Sequence, residues 1–286
     1  MRAELKKEHG DFIATVVQSI QADCEEFPDP IQAILGYHFR KLDKTKGFRI
    51  ALLKALHDLR VSSGCTPIPE PELVKRAKYL HLIHEVSLII DDIFDRDLTR
   101  RGQRSVHCRF GTVRAASASG WLSVWAMQHF ADNPALIRAI LDCAKQIATA
   151  EILQWEARLY PRPIDLEVWK DIAHGDTGAL FRLTARFAGC RPEEYQIPLL
   201  ALTYLYHGLD DVQDMQDDRA EDGLSGGLHA DVRDRIPTLL TCFTPETDEE
   251  SLRAVVPLAR DWLRSVALIQ RPPELEVFFS VLVQDL

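Results

Sequence analysis

Leu80-His81-Leu82-Ile83-His84-Glu85-Val86-Ser87-Leu88-Ile89-Ile90-Asp91-Asp92-Ile93-Phe94-Asp95 decides how this chain is read: a mostly apolar, helical stretch ends in Asp-Asp-x-x-Asp. The pattern returns once, where Leu199 to Leu209 leads into Asp210-Asp211-Val212-Gln213-Asp214. On a helix the first and third carboxylates of such a run lie about one turn apart on one face. At ~4 Å and an effective dielectric of ~20, each bare pair costs roughly 4 kcal/mol. One acidic run alone reads as a solvated helix face. Two copies in similar apolar settings point to bound cations instead. Hard oxygen donors suit magnesium, which bridges a few carboxylates to substrate phosphates. The basic cluster Arg100-Arg101-Gly102-Gln103-Arg104 follows the first run and supplies donors for phosphate oxygens. The two runs therefore predict a magnesium–diphosphate site between two helices.

Composition narrows the alternatives. The 286 residues, 46% of them hydrophobic, suffice for one large core. A formal net charge of −9 argues against a nucleic-acid partner. Six scattered cysteines without a Cys-x-x-Cys pair argue against a zinc site and a disulfide framework, and fit a reducing cytosol. The first residues lead into a polar stretch without a signal-peptide core, and no run approaches the ~18 apolar residues of a membrane span. A cytoplasmic protein without a membrane span is the expectation.

Helical spacing dominates and strand alternation is almost absent. Helices are predicted over 3–24, 29–40, 47–60, 69–95, 110–130, 133–158, 165–188, 194–217, 232–243 and 248–268, with a short one near 273–284. Breaks fall at strong turn chemistry such as Phe27-Pro28-Asp29-Pro30 and Ser63-Gly64-Cys65-Thr66-Pro67. Asn133-Pro134 reads as an N-cap followed by a first-turn proline. The expectation is one all-α domain over 1–286, a helical bundle whose acidic helices face each other across a central cavity.

The segment from His84 through Asp95, Arg96-Asp97-Leu98-Thr99-Arg100-Arg101-Gly102 and on to Val106-His107 resembles the first aspartate-rich region of the trans-isoprenyl diphosphate synthases. That family includes farnesyl and geranylgeranyl diphosphate synthases. Asp210 to Asp214 resembles its second aspartate-rich motif, Thr177-Gly178-Ala179-Leu180-Phe181 the segment after its helix lysine, and Pro237-Thr238-Leu239 the end of a later loop motif. The likeness runs from about Tyr37 to Leu240 and implies an isoprenoid-synthase bundle. It further implies that an allylic diphosphate ionises against three magnesium ions, and that isopentenyl diphosphate captures the allylic cation and loses a proton.

By this resemblance Asp91, Asp95 and Asp210 contact metal directly. Asp92, Asp211 and Asp214 serve as ligands or orient them, and Asp97 supplements the first cluster. Lys46 and Arg49 in Thr45-Lys46-Gly47-Phe48-Arg49, with His84 and Arg101, match the cationic pocket for the acceptor diphosphate, although Thr45 stands where the family has glycine. Read alone, Lys46 and Arg49 are an ordinary surface pair and His84 is a core histidine. Arg100 faces the allylic diphosphate, and Thr177 belongs with the substrate-binding residues. Val86 and Ser87, four to five residues before the first motif, line the growing chain. Without a bulky aromatic there, the expected product is C20 or longer.

The chain departs from the pattern on the allylic side. Three family lysines fall at Asp176, Gly226 and Ile236, and a Phe-Gln pair is Tyr206-His207. Arg182, Arg233 and Arg235 are candidates to replace the lost charge. Glu151 and Gln154 give a Glu-x-x-Gln order like that of long-chain members. The leading expectation is a magnesium-dependent prenyltransferase that acts on isoprenyl diphosphates as a homodimer, with Trp121 and Trp125 on the pairing surface. The alternatives are prenyl transfer to another phosphorylated or aromatic acceptor such as an indole, class I terpene cyclisation, and a non-catalytic subunit.

Overall fold

The computed structural model describes residues 2–42, 45, 47–159, 165–214, 237–246 and 248–286. Twelve α-helices carry the described part of the chain: α1 (Arg2–Glu25), α2 (Asp29–Phe39), α3 (Phe48–Ser62), α4 (Glu70–Phe94), α5 (Val106–Phe110), α6 (Thr112–Gln128), α7 (Pro134–Leu159), α8 (Leu166–Gly175), α9 (Thr177–Phe187), α10 (Gln196–Asp214), α11 (Glu249–Val266) and α12 (Glu276–Gln284). The all-α expectation holds. Local chemistry explains several helix starts. Asn133 Oδ1 accepts from the Leu136 N–H at 3.2 Å, with Pro134 at the first helical position. Asp165 caps α8 through Val168, and Asp248 caps α11 through Ser251.

Backbone contacts divide the chain into two compact units. One comprises 2–140 and 184–190, the other 141–183 and 191–286. In the first, α4 packs along α6. The contacting side of α6 buries Ala115, Ala118, Leu122 and Ala126 at helical spacing, and the three alanines allow close approach. Ser119 reaches the Val86 carbonyl of α4 at 3.4 Å. Leu52, Leu53 and Leu56 of α3 and Leu80 of α4 are also fully buried, each burial stabilising by roughly 1.5–3 kcal/mol.

In the second unit α10 packs on α8, α11 and α12. Gly208 permits this: a Cβ there would meet Leu263 at 2.8 Å and Leu239 at 3.0 Å. Trp169 of α8 is fully buried against Tyr204, His207 and Trp262.

Four departures from the predicted elements have local causes. The helix expected over 165–188 breaks at Asp176, whose ψ of −93° lies far from helical. The helix expected over 110–130 begins at Thr112, because Gly111 takes a positive φ of 89°. Thr99–Arg100 and Gln103–Arg104 pair as a small antiparallel hairpin that helical periodicity does not reveal. The described part of the 232–243 helix is only a 3₁₀ turn, Leu240–Cys242.

Candidate active site

Both acidic clusters occupy the last turn of their helices, α4 and α10, and neither last turn holds a basic residue. A helix C-terminus carries roughly −0.5 of an elementary charge, so carboxylates there stand at the unfavourable end. A cation relieves that arrangement, and it is built twice.

In the first cluster Asp91 and Asp95 are half-buried, one turn apart, with the Asp95 N–H donating to the Asp91 carbonyl at 2.8 Å. Asp92 is fully buried. Its Oδ1 accepts from Arg100 Nε at 2.7 Å and from Arg100 Nη2, which also reaches Asp97 at 3.2 Å. Burial raises the Asp92 carboxyl above its ordinary range against the opposing charge of Arg100. Its Oδ2 is buried without a hydrogen-bond partner among the described residues. Asp92 and Arg100 thus hold each other, and Asp91 and Asp95 flank the pair.

α3, α4 and the hairpin carry three predicted residues of the acceptor side. Arg49 Nη1 lies 3.0 Å from His84 Nε2. A guanidinium only donates, so His84 Nε2 accepts and its proton sits on Nδ1. That Nδ1 is buried with no partner among the described residues. Burial and then Arg49 keep the imidazole far below its ordinary pKa, hence neutral. Arg101 donates through both Nη atoms to the buried Glu85 carboxylate, at 2.8 and 2.7 Å. Lys46 lies outside the described residues. Val86 and Ser87 are half-buried one turn before the cluster, and Ser87 Oγ donates to the His84 carbonyl.

In the second cluster Asp210 is part-exposed. Asp211 Oδ2 accepts from Trp169 Nε1 at 2.9 Å and from the Leu239 N–H at 2.7 Å. It therefore ties α10 to α8 and to the Pro237-Thr238-Leu239 segment. Burial raises its carboxyl above the ordinary range, opposed by His207 and these donors. Asp214 ends α10.

The model of the polyprenyl synthetase family matches residues 38–261, spanning both clusters. The chain belongs to the polyprenyl synthetase family. The sesterterpene synthase btcA of Colletotrichum orbiculare is 30% identical over 146 residues, half of this chain and 19% of its own length. The geranylgeranyl pyrophosphate synthase idtG of Claviceps paspali is 29% identical over 159 residues, 53% of this chain and 47% of its own. The chain spans about a fifth to a quarter of the fungal terpene synthases it matches and about half of idtG. The polyprenyl synthase of Caulobacter crescentus CB15, crystallised with calcium and isoprenyl diphosphate, shares the fold. Its TM-score is 0.78 at 17% identity, over 100% of this chain and 97% of that one.

Two positions read in the sequence as departures, Asp176 and His207, meet in space. Asp176 Oδ2 lies 3.7 Å from His207 Nδ1, and the buried Thr177 hydroxyl sits between them, 3.4 Å from Asp176 and 3.2 Å from His207. Arg182 is committed elsewhere, to Gln146, the His174 carbonyl and His174 Nδ1. It is held by groups of α7 and α8. Gly226, Arg233, Arg235 and Ile236 lie outside the described residues.

Sequence reasoning missed Glu85, His38 and His81. Glu85 Oε2 is 2.8 Å from His38 Nε2, and Oε1 is 3.3 Å from His81 Nε2. Burial works to raise the Glu85 carboxyl, but His38 and Arg101 outweigh it and hold it well below the carboxylate range. The available signal was a carboxylate inside the apolar run from Leu80 to Ile90, with a histidine one turn earlier. The expected pairing tryptophans are half-buried and in contact with aromatic neighbours. Trp121 and Trp125 stack on each other and meet Phe27 edge-on, and Trp125 also touches Tyr79. The exposed apolar residues of α6 are Val113 and Val124.

Residues of the two clusters fit magnesium by the chemistry of their donors: carboxylate oxygens at two helix C-termini. Among the described residues no group of three or more His, Cys, Asp or Glu side chains converges to hold a metal ion alone. Among the described residues no helix is long and apolar enough to cross a membrane.

Proposed function

We propose that this protein is a magnesium-dependent prenyltransferase that condenses an allylic diphosphate with isopentenyl diphosphate to a trans-prenyl diphosphate of C20 or longer. The observation that carries the reading is the Arg49–His84 contact, with the Arg101 charge also acting on that imidazole, in the unit that bears Asp91 and Asp95. Arginines and a neutral imidazole N–H suit a metal-free diphosphate, and carboxylates suit a metal-bound one.

In this reading Asp91, Asp95 and Asp210 hold three magnesium ions, with Asp214 as a further ligand. When bound, magnesium supplies Lewis-acid neutralisation of the leaving diphosphate. Asp92 fixes Arg100 at the allylic side, and Asp211 fixes the α10 end against α8 and Leu239. Arg49, His84, Arg101 and Lys46 hold the acceptor diphosphate, and Thr177 contributes to substrate binding. Val86 and Ser87 leave room for the growing chain. Residues 1–286 act as one catalytic domain, which pairs as a homodimer in the cytoplasm.

A second reading, transfer to an acceptor other than isopentenyl diphosphate, is favoured by one observation. A lysine position near the leaving group has become an Asp176–Thr177–His207 cluster, which offers hydrogen bonds rather than charge. Incubating the protein with magnesium, isopentenyl diphosphate and C10, C15 and C20 allylic diphosphates, then identifying products by mass, tests the two. Elongated diphosphates support the first reading. Turnover only with an added indole or other acceptor replaces it with the second.

A further inference from the structure

Arg101 reaches its place by an uncommon backbone route. The hairpin register pairs Thr99 with Arg104 and Arg100 with Gln103, leaving Arg101 and Gly102 as a two-residue loop. Both have positive φ, 55° and 74°, the signature of a type I′ turn. Glycine adopts this readily, whereas an arginine there is strained and persists only where its surroundings hold it. Glu85 supplies that hold.

The Glu85 side chain is fully buried, and its two oxygens receive both Arg101 Nη atoms and the His38 ring of α2. Arg101 retains 15% side-chain exposure, so the clamp does not seal it off. Glu85 occupies the Nη1–Nη2 end of the guanidinium. The side edge formed by Nε and an Nη is left for a second planar or tetrahedral anion.

We propose that Glu85 is a positioning residue, which with His38 locks the Arg101 guanidinium so that its side edge faces the acceptor diphosphate. The inference rests on the acceptor-side assignment made above. It opposes a simpler effect of the same contact, in which the carboxylate merely cancels the charge of Arg101 and weakens anion binding.

Two variants of the full chain separate these effects. Glu85→Gln removes the charge and keeps the shape; Glu85→Asp keeps the charge and shortens the reach. Isopentenyl diphosphate binding is measured by calorimetry without magnesium, with KM and kcat alongside and thermal melts to check folding. Positioning predicts Kd and KM for isopentenyl diphosphate raised about tenfold or more in both variants, with kcat and the allylic KM within about threefold of wild type. His38→Gln, a milder change that preserves the Glu85–Arg101 pair, is expected to move Kd the same way by a smaller factor. Tighter binding in Glu85→Gln with wild-type binding in Glu85→Asp overturns positioning in favour of charge cancellation. Unchanged constants in both overturn it outright. In each of those outcomes the wild type still binds and elongates, so the function reading stands. A wild type that neither binds nor turns over isopentenyl diphosphate removes the acceptor assignment and this proposal together.

Discussion

Asp176 and His207, 31 positions apart in sequence, sit 3.7 Å apart with Thr177 bridging them. By the resemblance, each stands where the family carries another residue, and here the two lie together. A lone carboxylate near a departing diphosphate would repel it, whereas one paired to an imidazole presents a weaker field. Asp176→Lys restores the family's cation and removes a repelling charge. Turnover with isopentenyl diphosphate is expected to rise by about tenfold, the scale of one charge interaction at a partly exposed site. If the native acceptor is a different molecule held by Asp176, the same change impairs its use while improving elongation. Wild-type kinetics toward every acceptor would show that position 176 lies outside the reacting site.

Chain length is set, on this account, by the half-buried Val86 and Ser87 one turn before Asp91. Val86→Phe adds an aromatic floor there and should shift the product distribution to shorter prenyl diphosphates, at similar total turnover. Chromatography of dephosphorylated products reads this directly. An unchanged distribution places the floor on another helix.

Pairing of two chains is expected to use the exposed face of α6, where Val113 is 80% and Val124 54% exposed. Sedimentation at micromolar concentration should report a dimer, and Val113→Glu with Val124→Glu should convert it to a monomer. A monomeric wild type would refute the dimer.

Stability should fall in mild acid. Burial holds His81 neutral, with its pKa lowered to about 4 from an ordinary 6.5. Between those values the unfolded chain binds more protons at this residue than the folded one, so stability rises with pH across that window. Glu85, held low, adds a loss only as pH falls below the ordinary carboxylate value through its own. His81→Gln removes the first contribution and should flatten the dependence of melting temperature on pH between 4 and 6.5. An equal slope in wild type and variant would locate the acid sensitivity elsewhere.

Helix type and approximate extent were legible because apolar periodicity and caps act locally. The 70–94 and 134–159 helices follow their patterns within one residue of the expected bounds. What was not legible depends on single backbone angles or on distant partners. The ψ of Asp176 divides one apparent helix, and the positive φ of Arg101 makes a hairpin from a basic run. Among the candidate site residues, spacing indicated the carboxylates. It did not show that Asp92 and Asp211 are taken up by Arg100, Trp169 and Leu239. Nor did it show the burial of Glu85 against His38, 47 positions away. Those roles arise only when separate helices pack.

The most direct test compares wild type, Asp91→Ala and Asp210→Ala for diphosphate-dependent product formation, with magnesium and with chelator. The part-exposed carboxylates at the ends of α4 and α10 bear little of the core, so circular dichroism and melting should be near wild type. Turnover should fall by at least ~100-fold in either variant and in chelator, the scale of losing one preorganised group that stabilises departing charge. Full activity in chelator, or a normal rate in Asp91→Ala, would contradict the account.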